Sequence, residues 1–200
     1  MAKTPYVEPM VTIIEGLPKG HEDTAAALYW EAFSGKLGQL LGPDKRGKLF
    51  FSSTINPSGI LAAADGEKLP GIAAFKHGEH GFSTAGARDL FRHYGLSALW
   101  RLPILAMLER NSAPDTLQMD GVCVSASARG QGVGSTLFDA LFAHAKANGY
   151  SYVTLDVIDT NPRAKALYEK LGFEAVSKEG TSILRPILGF SSATKMRRAV

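Results

Sequence analysis

The chain has 200 residues, 45% hydrophobic and 20% charged, a globular balance that excludes a disordered chain and is long enough to bury roughly 70% of its unfolded surface without disulfide or metal support. Its net charge of +3 and pI ≈ 9.0 are too mild for a nucleic-acid-binding surface but suit a polyanionic small ligand. The single cysteine, Cys123, excludes an intrachain disulfide, and no CxxC or Cys/His cluster offers the spacing of structural zinc.

The first ten residues carry Lys3, Pro5, Glu8 and Pro9 without an apolar core, so they do not read as a secretory signal. Leu96 to Leu108 is the most apolar stretch, but it contains Arg101 and Pro103 and is too short to span a bilayer. A soluble, cytoplasmic protein with no membrane or nucleic-acid partner is expected.

Met10 to Ile14 reads as a first strand, ended by Glu15-Gly16. Thr24 to Phe33 reads as a helix, with Ala25, Leu28, Tyr29, Ala32 and Phe33 at helical spacing. Its aromatic stripe, Tyr29, Trp30 and Phe33, is either core or the wall of a pocket. After the breaker Gly42-Pro43-Asp44, a short helix runs from Lys45 toward Ile55. Gly59–Ala64 and Pro70–Phe75 flank Asp65-Gly66 and predict a hairpin. Ala85 to Arg110 predicts a long helix interrupted at Gly95 and Pro103. Then come strand Leu117–Val124, helix Gly132–Asn148, strand Tyr152–Val157, helix Pro162–Leu171 and strand Phe173–Val176, with Ala193–Met196 as a last strand. Lys195, Arg197 and Arg198 form a basic patch or a solvated tail. This order predicts one α/β domain over residues 1–200. Its mixed sheet is antiparallel in the early strands and parallel at the Leu117–Val157 pair, with helices on both faces.

The most informative segment is Ser127 to Ser135, SARGQGVGS, between a strand and a helix. Gly130, Gly132 and Gly134 let a ligand approach the backbone. The free amides and positive dipole end of the following helix favour an anion such as a pyrophosphate. Arg129 adds a cation. A plain glycine turn is the bland alternative. A Walker loop is excluded, because no lysine follows Gly134. A dinucleotide fingerprint fits Gly130, Gly132 and the later Asp156, but Ser135 takes the third glycine's place and a polar loop separates Val124 from Gly130.

Arg129, Gly132 and Gly134 also form the pattern Arg-x-x-Gly-x-Gly. Further along, Asn161-Pro162-Arg163-Ala164-Lys165-Ala166-Leu167-Tyr168 leads into Gly172-Phe173. With both motifs in order, the chain resembles the GNAT superfamily of acyl-CoA-dependent N-acyltransferases over residues 117–176. The resemblance implies a sheet splayed between Leu117–Val124 and Tyr152–Val157, with pantetheine entering the gap. It implies that the amides of Arg129, Gly130, Gln131, Gly132, Val133, Gly134 and Ser135 cradle the pyrophosphate of acetyl-CoA. It implies that Val122, Cys123 and Val124 pair with the pantetheine amides as a strand would. Asn161, with Ala164 and Tyr168 along the same helix, completes the cofactor side; Asn161 either bonds the pantetheine arm or simply caps its helix.

Tyr168 is the residue expected to hydrogen-bond or protonate the departing thiolate, against the alternative of an amphipathic core tyrosine. Asp120 is the candidate base, read as alternating in phase with Val122 and Val124; Gln118 shares its face and Asp156 is the second candidate. Cys123, mid-strand among valines, reads as a buried hydrophobe rather than a nucleophile. His21, His77, His80, His93 and His144 show no metal spacing, so no metal is expected. The expected activity is acetyl transfer from acetyl-CoA to a primary amine by direct attack; the alternative is a non-catalytic acyl-CoA-binding or regulatory module. Ala85–Arg110 and Ile183–Phe190 carry large apolar residues, notably Leu99, Trp100, Ile104, Ile187 and Phe190. They are expected to cover the acceptor side or to form a subunit contact, as in a homodimer, with ordinary core packing against the sheet as the alternative.

Overall fold

The computed structural model describes residues 11–76, 81–108, 113–180 and 185–200. The first ten residues, His77, His80, Arg110 and Ile183 lie outside these. Among the described residues, the strands are β1 (Thr12–Glu15), β2 (Ile60–Asp65), β3 (Lys68–Phe75), β4 (Thr116–Val124), β5 (Tyr152–Ile158), β6 (Glu174–Gly180) and β7 (Ser192–Ala199). They form one seven-stranded sheet in the order β1-β2-β3-β4-β5-β7-β6. Every neighbouring pair is antiparallel except β4 with β5. The mixed sheet predicted from the order of elements is therefore present.

Side chains alternate along the strands, so Ile60, Ala62, Ile72 and Ala74 bury on one face while Leu61, Ala63, Ala73 and Phe75 bury on the other. Helices α1 (Glu22–Leu41), α2 (Asp44–Thr54), α3 (Ala87–Tyr94) and α4 (Ala98–Leu108) pack on the first face. Helices α5 (Val133–Ala147) and α6 (Pro162–Lys170) pack on the second, and the short α7 (Arg185–Leu188) returns to the first. Burial on both sides is why β2 and β3 read as unbroken apolar runs rather than as an alternation.

Three elements depart from the sequence reading. Helix α1 continues to Leu41 rather than ending near Phe33. A Cβ at Gly35 or Gly38 would meet nothing within 4 Å, while Leu40 and Leu41 are buried. Burying those two leucines, at about 1.5–3 kcal/mol each, outweighs the roughly 1 kcal/mol cost of each helical glycine. Gly95 does separate α3 from α4, with φ +58, but Pro103 lies inside α4 and does not interrupt it. Leu99, one turn before Pro103, is 64% exposed, so water can take the carbonyl that the proline cannot bond. The basic C-terminal residues are not a tail. They lie on β7, where Arg197 stacks over Tyr152 and Arg198 over Phe142.

Small residues set how closely the layers approach. A Cβ on Gly121 would lie 2.3 Å from the Phe33 ring, so its absence lets α1 press an aromatic onto β4. By contrast, a Cβ on Gly134 would meet only Val124 Cγ2, at 3.7 Å. Gly121→Val should therefore overpack the core by about 1–3 kcal/mol and lower Tm by about 2–12 °C. Gly134→Ala should leave Tm unchanged or raise it. Thermal melts of both variants check this; equal stability of Gly121→Val and the parent would refute the packing account.

Candidate active site

Strands β4 and β5 pair only at Thr116↔Tyr152, Leu117↔Val153 and Gln118↔Thr154. At that last pair the buried Thr154 hydroxyl donates to Gln118 Oε1 at 3.0 Å. Beyond it β4 stays with β3, and β5 stays with β7. Among the described residues no strand pairs with the facing edges. The expected splay is thus present, and it leaves a row of backbone donors and acceptors that need partners.

A bulge sits just past the fork. Ala74 pairs with Gly121 and Phe75 with Met119, so Asp120 is an extra residue in β4. The extra residue breaks the alternation expected here. Val122 and Val124 pack toward the α5 layer, whereas Asp120 and Gly121 meet Phe82 and Phe33 on the α1 side. Asp120 is therefore out of phase with Val122 and Val124, though it still shares a cavity with Gln118.

That cavity measures ≈ 710 Å³. It runs from the fork, where Leu155, Asp156, Asn161 and Tyr168 line it, past Gln118 and Asp120 to the helices α1–α4. The Asp120 Oδ2 accepts a hydrogen bond from the Phe82 amide at 2.7 Å. Burial pushes its pKa up, against the downward pull of that amide and of Lys36 and Lys76. The Gly81–Phe82 backbone lies against the carboxylate so closely that a Cβ on Gly81 would be 2.2 Å from Oδ2.

Tyr168 stands on α6, its ring edge-on to Phe138 and Phe173. Burial, with a smaller contribution from Cys123, pushes the phenol up to about 12. Cys123 is buried among the apolar residues of the first face, and burial, then Glu31 and Asp120, push its thiol up to about 12. Its thiolate form is suppressed, as befits a packing residue. Asn161 caps α6: its Oδ1 accepts from the Ala164 amide at 3.1 Å, with Pro162 following it. It also lines the cavity, with Ala164, so both of its sequence readings remain compatible.

The glycine loop opens α5. Gly130 and Gly132 have φ +79 and +85, and a Cβ on either would meet nothing within 4 Å. The amides of Val133, Gly134 and Ser135 belong to the first helical turn, where no intrahelical carbonyl is available to them. Gln131 Nε2 donates to the Ser127 carbonyl at 2.8 Å and fixes the turn. Arg129 donates through Nε to the Val124 carbonyl and through a terminal nitrogen to Glu31 of α1. Its charge therefore has a carboxylate partner in addition to any anion. Gly134 points its missing side chain at Val124, toward the sheet rather than the loop's open side. An anion-binding helix terminus beside an open strand edge fits a pyrophosphate joined to an amide-bearing arm.

The aromatic stripe of α1 divides. Tyr29 and Phe33 line the cavity, while Trp30 turns away into the core and donates to Asp44 Oδ1 at 3.0 Å. Helix α4 does cover the cavity, but through Leu102, Leu105 and Leu108; Leu99 and Trp100 face outward. Ile104 packs on the first-face core, where Ile187 also packs and Phe190 is buried. His144, which shows no evident partner in the sequence, bonds Glu15 through Nδ1 at 3.0 Å and packs on Phe75. Phe82, Phe51, Lys36 and Lys76 are lining residues that sequence reasoning missed. Phe82 stands alone between polar residues and carries no periodic signal, whereas Leu102, Leu105 and Leu108 could have been found from their helical spacing.

The acetyltransferase (GNAT) family matches residues 23–173. Probable N-acetyltransferase family 8 member 5 of Mus musculus is 34% identical over 76 residues, 38% of this chain and 34% of the mouse protein; the chain thus spans about a third of that relative's length. Among solved structures, a GCN5-related N-acetyltransferase from Kribbella flavida is 16% identical with a TM-score of 0.61, covering 96% of this chain and 98% of that one. The ribosomal-protein-S18-alanine N-acetyltransferase from Escherichia coli is 17% identical with a TM-score of 0.54, covering 95% and 94%. A Bacillus subtilis acetyltransferase in complex with CoA is 13% identical with a TM-score of 0.56, covering 95% and 99%. These likenesses establish a shared fold, and the family match runs from α1 through both motifs to Phe173: the chain belongs to the GNAT acetyltransferase family.

Proposed function

We propose that this chain, as a single domain, moves an acetyl group from acetyl-CoA to a primary amine by direct attack. The observation that carries this reading is the continuous cavity, which joins Asn161, Ala164 and Tyr168 at the β5 side of the fork to the Asp120 carboxylate on β4. A thioester donor and an amine acceptor can meet there without a covalent enzyme intermediate. A Cys123 thiol pushed up to about 12 supports the same conclusion, because it is a poor nucleophile.

Acetyl-CoA supplies the activated carbonyl. The chain's part begins with binding: the loop from Arg129 to Ser135, chiefly the free amides of Val133, Gly134 and Ser135, faces the pyrophosphate. The edge of β4 that β5 leaves at Val122, Cys123 and Val124, where Arg129 already bonds the Val124 carbonyl, bonds the arm. Asn161 and Ala164 flank it. Next comes the proton. An amine of ordinary pKa near 10.4 pays about 4.6 kcal/mol to be neutral at pH 7, and an α-amino group about 1 kcal/mol. Asp120, held by Phe82 and raised by burial, accepts that proton better than a solvated carboxylate would. Asp156, which also lines the cavity, is the second candidate.

Tyr168 then meets the departing sulfur. Burial raises the phenol to about 12 and raises a thiol leaving into the same dry site as well, so Tyr168 hydrogen-bonds the sulfur as charge develops there and passes it a proton as the thiol leaves.

The rival reading is a CoA-binding module without turnover. Calorimetry with CoA, followed by thiol release from acetyl-CoA across a panel of peptides, polyamines, aminoglycosides, amino acids and simple amines, separates the two. Binding without release under any amine would favour the rival.

Three variants test the assignments. Gly132→Val places a side chain on the open side of the loop, where its Cβ meets no atom within 4 Å. Its left-handed backbone costs about 1–2 kcal/mol, so the protein should fold while CoA affinity falls at least about tenfold. Unchanged affinity by calorimetry would remove the loop from the binding site. Tyr168→Phe should lower kcat by about 10²-fold with CoA affinity intact; a change within twofold, with chemistry rate-limiting, would leave Tyr168 a packing residue. For Asp120, the parent's kcat/KM should fall as pH drops through the raised carboxylate pKa. Asp120→Asn should lose rate near neutrality and recover it as pH approaches the amine's own pKa. Parallel profiles of equal height would shift the role to Asp156 or water.

A further inference from the structure

We propose that the acceptor is a primary amine carried on a compact apolar body, alkyl or aromatic, rather than a polycation; this rests on the amine-acetylation reading above. The far end of the cavity is an aromatic chamber. Tyr29 stacks on Phe82 with ring centroids 3.9 Å apart and planes 3° from parallel. Phe33 and Phe51 close around the same ring at 4.5 and 5.0 Å. Leu90 of α3 and Leu105 of α4 complete the lining.

The ionisable lining is the second observation. Asp120 and Asp156 are matched by Lys36 and Lys76 in the same cavity, and both lysines act on Asp120. The chamber therefore has no surplus of carboxylates. The reacting amine gives its proton to Asp120, on the β4 bulge, and enters neutral, so it needs no surplus carboxylate. A second or third amine stays protonated and would be buried without a counter-charge, which is strongly unfavourable. An apolar body on that single amine replaces water against Tyr29, Phe33, Phe82 and Leu105, and each buried methylene strengthens transition-state binding about fourfold.

The same chamber would also suit a long acyl chain on CoA. The amine is favoured because the carboxylate that can take its proton is bonded to the backbone of Phe82, one of the chamber's own rings, within the same cavity.

The test measures thiol release by the full chain from acetyl-CoA, with n-propylamine to n-octylamine, 2-phenylethylamine, spermidine and kanamycin as acceptors. The proposal requires kcat/KM to climb about fourfold per methylene over the first members, and the best apolar amine to exceed spermidine and kanamycin at least about 100-fold. Spermidine or kanamycin as the best acceptor would overturn it. So would a flat amine series in which hexanoyl- or decanoyl-CoA replaces acetyl-CoA with a large gain, because the chamber would then hold the acyl chain. Leu105→Gln should flatten the amine slope; a slope equal to the parent's in the folded variant counts against the proposal. If CoA binds but no amine is acetylated, the acyl-transfer reading fails by itself. Calorimetry of the CoA-loaded protein with n-hexylamine and spermidine then decides the chamber: tighter n-hexylamine binding supports it, and tighter spermidine binding or no amine binding overturns it.

Discussion

The rest of the site depends on two strands that begin as partners and then separate. β4 and β5 share a ladder only from Thr116↔Tyr152 to Gln118↔Thr154, and the Thr154–Gln118 hydrogen bond closes the last rung. Past it, peptide groups inside the sheet lose a strand partner. That is costly unless water or a ligand takes the bonds. The bulge at Asp120 begins two residues beyond the last rung. An added residue on one strand bends it and increases its twist. Here it also turns a carboxylate toward the α1 layer, away from the side on which Val122 and Val124 pack. One local irregularity just past the fork thus supplies the candidate base.

The two helical layers divide the remaining work. The α5 side presents backbone: left-handed Gly130 and Gly132 and the unpaired amides of a helix start. These carry partial positive charge in fixed directions, which suits an anion. The α1–α4 side presents side chains, mostly aromatic and aliphatic. Arg129 ties the layers together through Glu31. Both partners are more than half exposed, so the pair contributes little to stability. The loop's position comes instead from its own turn and from the start of α5.

Burial pushes four groups around the cavity the same way. Asp120, Tyr29, Cys123 and Tyr168 all have pKa values raised chiefly by desolvation. The two phenols and the thiol stay protonated at neutral pH, while the carboxylate becomes the more basic member of its class. In such a dry region a hydrogen bond to a developing charge is stronger than the same bond in water. The desolvation that raises the Tyr168 pKa therefore also strengthens a hydrogen bond from its hydroxyl to a sulfur on which charge develops.

The family, the strand–helix order and the glycine turn that opens α5 were legible from the residues, and the fork between β4 and β5 from the family resemblance that the motifs carry. The first three rest on local patterns: glycines that permit φ above zero, an asparagine before a proline at a helix start, apolar runs of strand length. The register irregularity at Asp120 was not legible, because an extra residue in one strand is defined only against its partner. Nor was the far end of α1, where burial of Leu40 and Leu41 against other elements overrides two glycines. Phe82 reaches the chamber from a segment with no periodicity, and Leu102 and Leu105 face it while Leu99 and Trp100 face water. Sequence determined which residues form the glycine loop and the helices around it, because those depend on short-range backbone chemistry. Tertiary packing decided which way Asp120 and the α4 leucines point, and hence the shape and charge of the cavity, because those depend on contacts between segments distant in the chain.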